Sequence, residues 1–285
     1  MSWASGAATD VGLVRERNED RYWADAERGV FLVADGVGGH AAGEVAAQTA
    51  VDVIREARLD SEDAVRGAIA AANNRIFELA ESRKELEGMG CVLTLAVILG
   101  DEVVIGHVGD SRLYLIWDGA IRKLTADHSP VGEDEDAGAL TEEEAMSHPR
   151  RNEVFRDVGS RRRAPGDRDF VQILRCRFHP DAAILLCSDG LTDRVTSAEV
   201  REIVERYDAD ATRVARELVE AANRAGGNDN VTALFVAGPE FRGRPSATRP
   251  RQATTRVKSS RLTGRLAYLV CGLLLGMALW WVARQ

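Results

Sequence analysis

An α+β fold, with antiparallel sheets and helices packed outside them, is predicted by three observations. Short apolar runs bounded by glycine recur along the chain and read as buried strands. Asp118-Gly119 between two such runs marks a tight hairpin. The strands and helices follow a mixed order instead of strict βαβ alternation, which argues against a parallel doubly wound sheet. At 285 residues, 45% hydrophobic and 29% charged, the chain has the composition of a globular protein with a sizeable core.

The elements follow in order. Val30 to Ala34 is an apolar run that stops on Asp35-Gly36. Ala41–Arg58 is rich in alanine and predicted helical. Ser61 caps a second helix, whose Val65, Ile69, Ala72, Ile76 and Leu79 recur at steps of four and three. Cys91–Leu99 and Val103–Val108 are strands joined by a turn at Asp101-Glu102. Arg112–Trp117 and Ala120–Leu124 form the hairpin, with a type I′ turn. Thr141–Ser147 is a short helix stopped by Pro149. Ile184 to Cys187 is a strand running into Ser188-Asp189-Gly190. Helices at Ser197–Tyr207 and Asp210–Ala225 precede a last strand, Val231–Ala237.

The C-terminal part differs in kind. From Glu240 onward there are nine Lys and Arg against one Glu, so residues 1–239 carry −16 within a chain of net −8. An acidic body excludes nucleic acid as the expected ligand. Residues 240–265 are rich in Pro, Arg, Ser, Thr and Gly and read as a basic disordered linker. Leu266 to Ala283 is an uncharged run of 18 residues that closes on Trp280-Trp281. It reads as a transmembrane helix at the short end of the usual span. The arginines before it fit the positive-inside rule, which puts the body (residues 1–239) in the cytoplasm, tethered to the cytoplasmic membrane. Met1 to Val11 lacks a basic n-region and an apolar h-region, so no secretory leader is expected. The four cysteines include no C-x-x-C pair, which fits a reducing compartment.

Chemistry is expected where acidic residues stand beside predicted strands and turns: Asp20, Asp35, Asp110, Asp189 and Asp229. A single Asp-Gly is usually a turn. Five acidic residues converging at one edge of a fold repel one another unless a metal joins them. Oxygen donors without Cys or His point to Mg²⁺ or Mn²⁺ and to phosphate chemistry.

Five strings occur in order. They are Arg15-x-x-Asn18-Glu19-Asp20, Ala34-Asp35-Gly36-Val37-Gly38-Gly39-His40 through Gly43-Glu44, Gly109-Asp110-Ser111-Arg112, Cys187-Ser188-Asp189-Gly190-Leu191 and Gly227-Asn228-Asp229-Asn230-Val231-Thr232. Together they resemble the ordered motifs of bacterial metal-dependent protein phosphatases of type 2C, over residues 10 to 237. The resemblance implies a sandwich of two antiparallel sheets flanked by helices. It implies hydrolysis of phosphoserine and phosphothreonine in proteins by a metal-activated water.

Carried over, Asp35 bridges two Mn²⁺ or Mg²⁺ ions and the Gly36 carbonyl binds the second, while Asp189 and Asp229 hold the first. Glu19 and Asp20 contact metal-bound waters, and Asp110 with Asp189 forms a third, weaker metal site. Arg15 matches the phosphate-binding arginine and His40 the position proposed as general acid. His107, His128, His148 and His179 are given no catalytic role.

Phosphorylated proteins are the implied partners, including substrates of a serine/threonine kinase at the same membrane. The oligomeric state is left open. A rival reading, a non-catalytic phosphoprotein-binding regulator on this fold, would need a lost ligand, and every matched position is intact. Two departures stand out. Cys91 and Val92 replace the two threonines usual after Gly88-Met89-Gly90, so altered polarity behind the site is expected rather than loss of metal. The segment Asp127–Ser160 matches the family's flap. Its acidic first half and basic second half fit either substrate selection or a solvated loop.

Overall fold

The computed structural model describes residues 3–37, 42–164 and 166–243. The predicted transmembrane run, almost all of the linker and His40 lie outside these residues. Among the described residues no helix is long and apolar enough to cross a membrane.

Among the described residues ten strands form two five-stranded sheets in which every pairing is antiparallel. The first contains β1 (Ala4–Asp10), β10 (Val231–Ala237), β9 (Ala183–Cys187), β6 (Arg112–Trp117) and β7 (Ala120–Lys123), in that order. The second runs β2 (Arg21–Asp25), β3 (Val30–Val37), β4 (Gly90–Leu99), β5 (Glu102–Val108) and β8 (Gln172–Arg177). The expected two-sheet sandwich is present.

Alternation along the strands explains the layers. Phe31 and Val33 of β3 meet Leu113, Leu186 and Leu234 in the layer between the sheets. Their neighbours Leu32 and Ala34 face the other way, against α1 (Ala42–Glu56) and α2 (Glu62–Ser82). On the far side Ala233 and Phe235 pack with α6 (Ser197–Val204) and α7 (Ala211–Arg224). Both faces of the central strands are buried, which is why they read as unbroken apolar runs.

Local signals act as predicted. Ser61 accepts from the Ala64 amide at 3.2 Å and caps α2. Thr141 and Glu144 form a capping box on α4 (Glu142–Met146). Asp118 and Gly119 both take positive φ, 50° and 70°, as a type I′ turn needs.

The flap segment holds a second helix, α3 (Pro130–Asp136), and several of its charges are paired. Arg112 forks onto Asp127 at 2.6 and 2.9 Å and reaches Glu135 at 2.5 Å, while Lys123 meets Asp136 at 2.7 Å. Arg151 joins Asp193 at 2.5 Å and Arg162 joins Glu78 at 3.0 Å. Glu135 and Asp136 therefore serve as anchors turned toward the sheet, an outcome that neither expectation for the flap included.

Candidate active site

The ends of β3, β9 and β10 and the turn after β5 open on a cavity of about 770 Å³. Arg15, Glu19, Asp35, Gly36, Asp110, Asp189 and Asp229 all line it. Seven of the nine predicted site residues are thus brought together from segments spread over most of the chain. Asp20 lies beneath, 1% exposed. His40 is outside the described residues.

Each position has a local cause. Asp35 faces Val92 across the β3–β4 ladder, and Gly36 faces Cys91. The two residues that depart from the family pattern therefore stand directly behind this edge of the site, and Val92 forms part of the cavity wall. A side chain at Gly36 would lie 2.4 Å from Gly43 backbone, so glycine lets α1 seat against the strand end. Asp189 is the first residue of a one-turn helix, α5 (Asp189–Thr192), that begins as β9 ends. Asp229 stands two residues before β10 in sequence and accepts from the Asn230 backbone amide at 2.8 Å.

The loop between β1 and β2 presents Arg15 and Glu19, and Asn230 holds it in place. Its amide donates to Val11 O at 3.0 Å and Arg17 O at 2.8 Å, and its oxygen accepts from Glu19 N at 2.8 Å. Arg15 reaches back to Asp229 at 2.7 Å. No periodicity or spacing signalled this role for Asn230, which stands in a motif string that was read for Asp229 alone.

A second unpredicted support lies under Asp110. Gly109, with φ +111°, donates its amide to His128 Nδ1 at 2.9 Å, and its carbonyl accepts from the His128 amide at 2.7 Å. His107 Nε2 contacts the same carbonyl at 2.9 Å. Burial pushes His107 down to about 4, so it is neutral and its Nε2 tautomer donates. The two histidines position the Asp110 backbone and are not among the residues that line the cavity.

The electrostatics are severe. Burial, then Asp20, Asp189, Asp110 and Asp229, hold the Asp35 carboxyl well above the usual range. Burial, then Asp110, Asp193, Asp229 and Asp20, do the same to Asp189. Burial pushes Asp110 up to about 7, aided by Asp127 and Asp193 and opposed by Arg112. Asp20 is raised to about 6 by burial, although its Oδ2 accepts from Ser188 and Thr232 at 2.7 Å each. Its Oδ1 is buried without a hydrogen-bond partner among the described residues. Arg15 and Arg17 are the two cations among the described residues that line the cavity beside these carboxylates. An orphaned carboxylate oxygen within an all-oxygen donor set fits hard divalent cations.

Comparison with known proteins agrees with this geometry. A family model described as Protein phosphatase 2C matches residues 14–232. The serine/threonine phosphatase stp of Listeria monocytogenes is 37% identical over 240 residues, covering 80% of this chain and 93% of that one. The serine/threonine protein phosphatase PstP of Mycobacterium tuberculosis is 36% identical over 237 residues, 81% of this chain and 44% of its own length. The crystal structure of that PstP aligns with TM-score 0.74 and 34% identity, over 84% of this chain and 99% of the solved one. A PstP catalytic domain solved with two manganese ions aligns with TM-score 0.72 and 33% identity, over 83% of this chain and 98% of that one. The chain belongs to the protein phosphatase 2C family and is a serine/threonine phosphatase.

Proposed function

We propose that the body hydrolyses phosphoserine and phosphothreonine in phosphoproteins, using two Mn²⁺ or Mg²⁺ ions and a third, weaker one. Asp35, the Gly36 carbonyl, Asp189 and Asp229 would hold the main pair, and Asp110 with Asp189 the outer ion. Glu19 and Asp20 would orient the ions' water ligands. The observation that carries this reading is the crowd of mutually repelling carboxylates with the unpartnered Asp20 oxygen. The related domain solved with two manganese ions supports it. When bound, the cations supply positive charge that lowers the pKa of a water and neutralises phosphoryl oxygens.

The chain's own residues do the rest. Arg15 offers a planar fork to the phosphoryl group, and Asn230 fixes the loop that carries it. The Arg15–Asp229 contact must loosen for this, and a cation on Asp229 would release the guanidinium. Asn152 and Val154 of the flap close one side of the cavity. His40 is assigned to give the leaving oxygen its proton.

We further propose that residues 266–283 tether the enzyme to the cytoplasmic membrane, where it opposes a serine/threonine kinase. The apolar run and the basic linker support that reading. The test of the chemistry is turnover of a phosphothreonine peptide by the full chain, with Mn²⁺ and then with chelator. Activity that chelator abolishes is expected; turnover indifferent to metal would overturn the reading.

A further inference from the structure

Beside the carboxylate cavity lies a second cleft of about 370 Å³. Arg15, Asn152 and Asp229 line both, so the two are continuous. Arg151, from the segment after α4, and Arg194, just after α5, stand in the wall of the second cleft. Arg151 meets Asp193 through Nε alone, at 2.5 Å. The two terminal nitrogens of its fork make no hydrogen bond among the described residues.

Arg194 has a neutral partner. With the Asn228 amide turned so that its nitrogen donates to Gly226 O at 3.0 Å, its oxygen accepts from Arg194 at 2.7 Å. Among the described residues no carboxylate lies within ion-pair distance of Arg194. The cleft therefore sets three guanidiniums against two carboxylates; Arg15 pairs with Asp229 and Arg151 with Asp193, while Arg194 feels Asp193 only at longer range. Val14, 66% exposed, adds an apolar lip. On a body carrying −16, a basic recess beside the reacting centre is where an acidic segment can approach.

We propose that this cleft is a subsite for a second anionic group on the substrate, a carboxylate or phosphate on a side chain flanking the phosphoresidue. The proposal rests on the phosphatase reading above. The shared Arg15 wall allows a chain whose phosphate lies in the first cavity to lay a neighbouring side chain in the second. Arg151 and Arg194 then offer free N–H donors to it.

The test is steady-state kinetics of the full chain with Mn²⁺ on phosphothreonine peptides of one backbone. The flanking positions carry Ala, Glu, a second phosphothreonine or Lys, and p-nitrophenyl phosphate, which has no flank, reports on the reacting centre. The expected KM is about fivefold lower for the anionic flanks than for Ala, the size of a partly exposed charge pair. Equal gains from Glu and phosphothreonine identify a general anion subsite, and a gain from phosphothreonine alone identifies a phosphate subsite. Arg194→Gln should erase the difference while leaving kcat and p-nitrophenyl phosphate turnover unchanged. Arg194→Glu should turn the preference toward Lys. Equal KM for all flanks, or variants that weaken every peptide alike, overturns the subsite while leaving the phosphatase reading intact. Absence of turnover on every substrate takes down both.

Discussion

Asp189 concentrates the electrostatic conflict of the site. Burial and four neighbouring carboxylates oppose its ionisation, yet the metal-binding role proposed for it requires the ionised form. Asp189→Asn removes the charge and keeps the shape. Turnover should fall by more than the roughly 10–100-fold that loss of an outer hydrogen-bond partner costs a metal site. The metal-free variant should melt above the metal-free wild type, because a repulsive charge is gone. Kinetics and melts in chelator check both; near-wild-type rates would remove Asp189 from the metal site. The residue scale is also where the sequence says most about the chemistry. Asp35, Asp110, Asp189 and Asp229 stand in short strings whose order carries the resemblance. Asn230 and His128 show the converse, since their roles exist only once the chain folds and brings residues such as Val11 and Gly109 to them.

At the scale of elements, Arg112 links the first sheet to the flap. It is 9% exposed and bonds Asp127 and Glu135, so it ties β6 to the segment before α3 and to the last turn of α3. Arg112→Met leaves the buried Asp127 carboxylate and the half-buried Glu135 without their main partner, which should cost roughly 3 kcal/mol. Urea unfolding with an unchanged slope would show this as a lower midpoint. Strands with both faces buried were legible in the sequence as apolar runs, as β3, β4, β5, β9 and β10 are. The edge strand β7 was legible through its Asp118-Gly119 turn, and the other three edges were not. β1 (ASGAATD), β2 (RYWAD) and β8 (QILRCR) lie at sheet edges, half exposed, and lack a continuous apolar signal. The acidic end of α3 reads as a solvated run until Arg112 and Lys123 are placed beside it, a juxtaposition made by the hairpin and not by local sequence.

For the whole molecule, the carboxylate cluster predicts an unusual response to pH. Asp20 and Asp110 stand at about 6 and about 7, above the ordinary 3.8. A folded-state pKa raised in this way stabilises below the unfolded value, and the contribution is lost as pH rises through the folded value. The chelator-stripped protein should therefore lose melting temperature between about pH 4 and about pH 7, and Mn²⁺ should restore it most at the alkaline end. Thermal melts across that range decide it; a metal-free protein most stable at the alkaline end would contradict the cluster's electrostatics.

The charge division of the chain, −16 in residues 1–239 against a basic remainder, carries the second expectation at this scale. Deleting residues 266–285 should release an active, soluble enzyme. Fractionation that leaves the truncated chain with membranes would place the anchor elsewhere.

The central claim, that these carboxylates are one metal centre, is tested most directly by calorimetric titration of Mn²⁺ into the stripped protein at neutral pH. At least two ions should bind, with release of protons from the raised carboxyls, and Asp189→Asn should lose part of that stoichiometry. No binding, or binding that Asp189→Asn leaves unchanged, would contradict it.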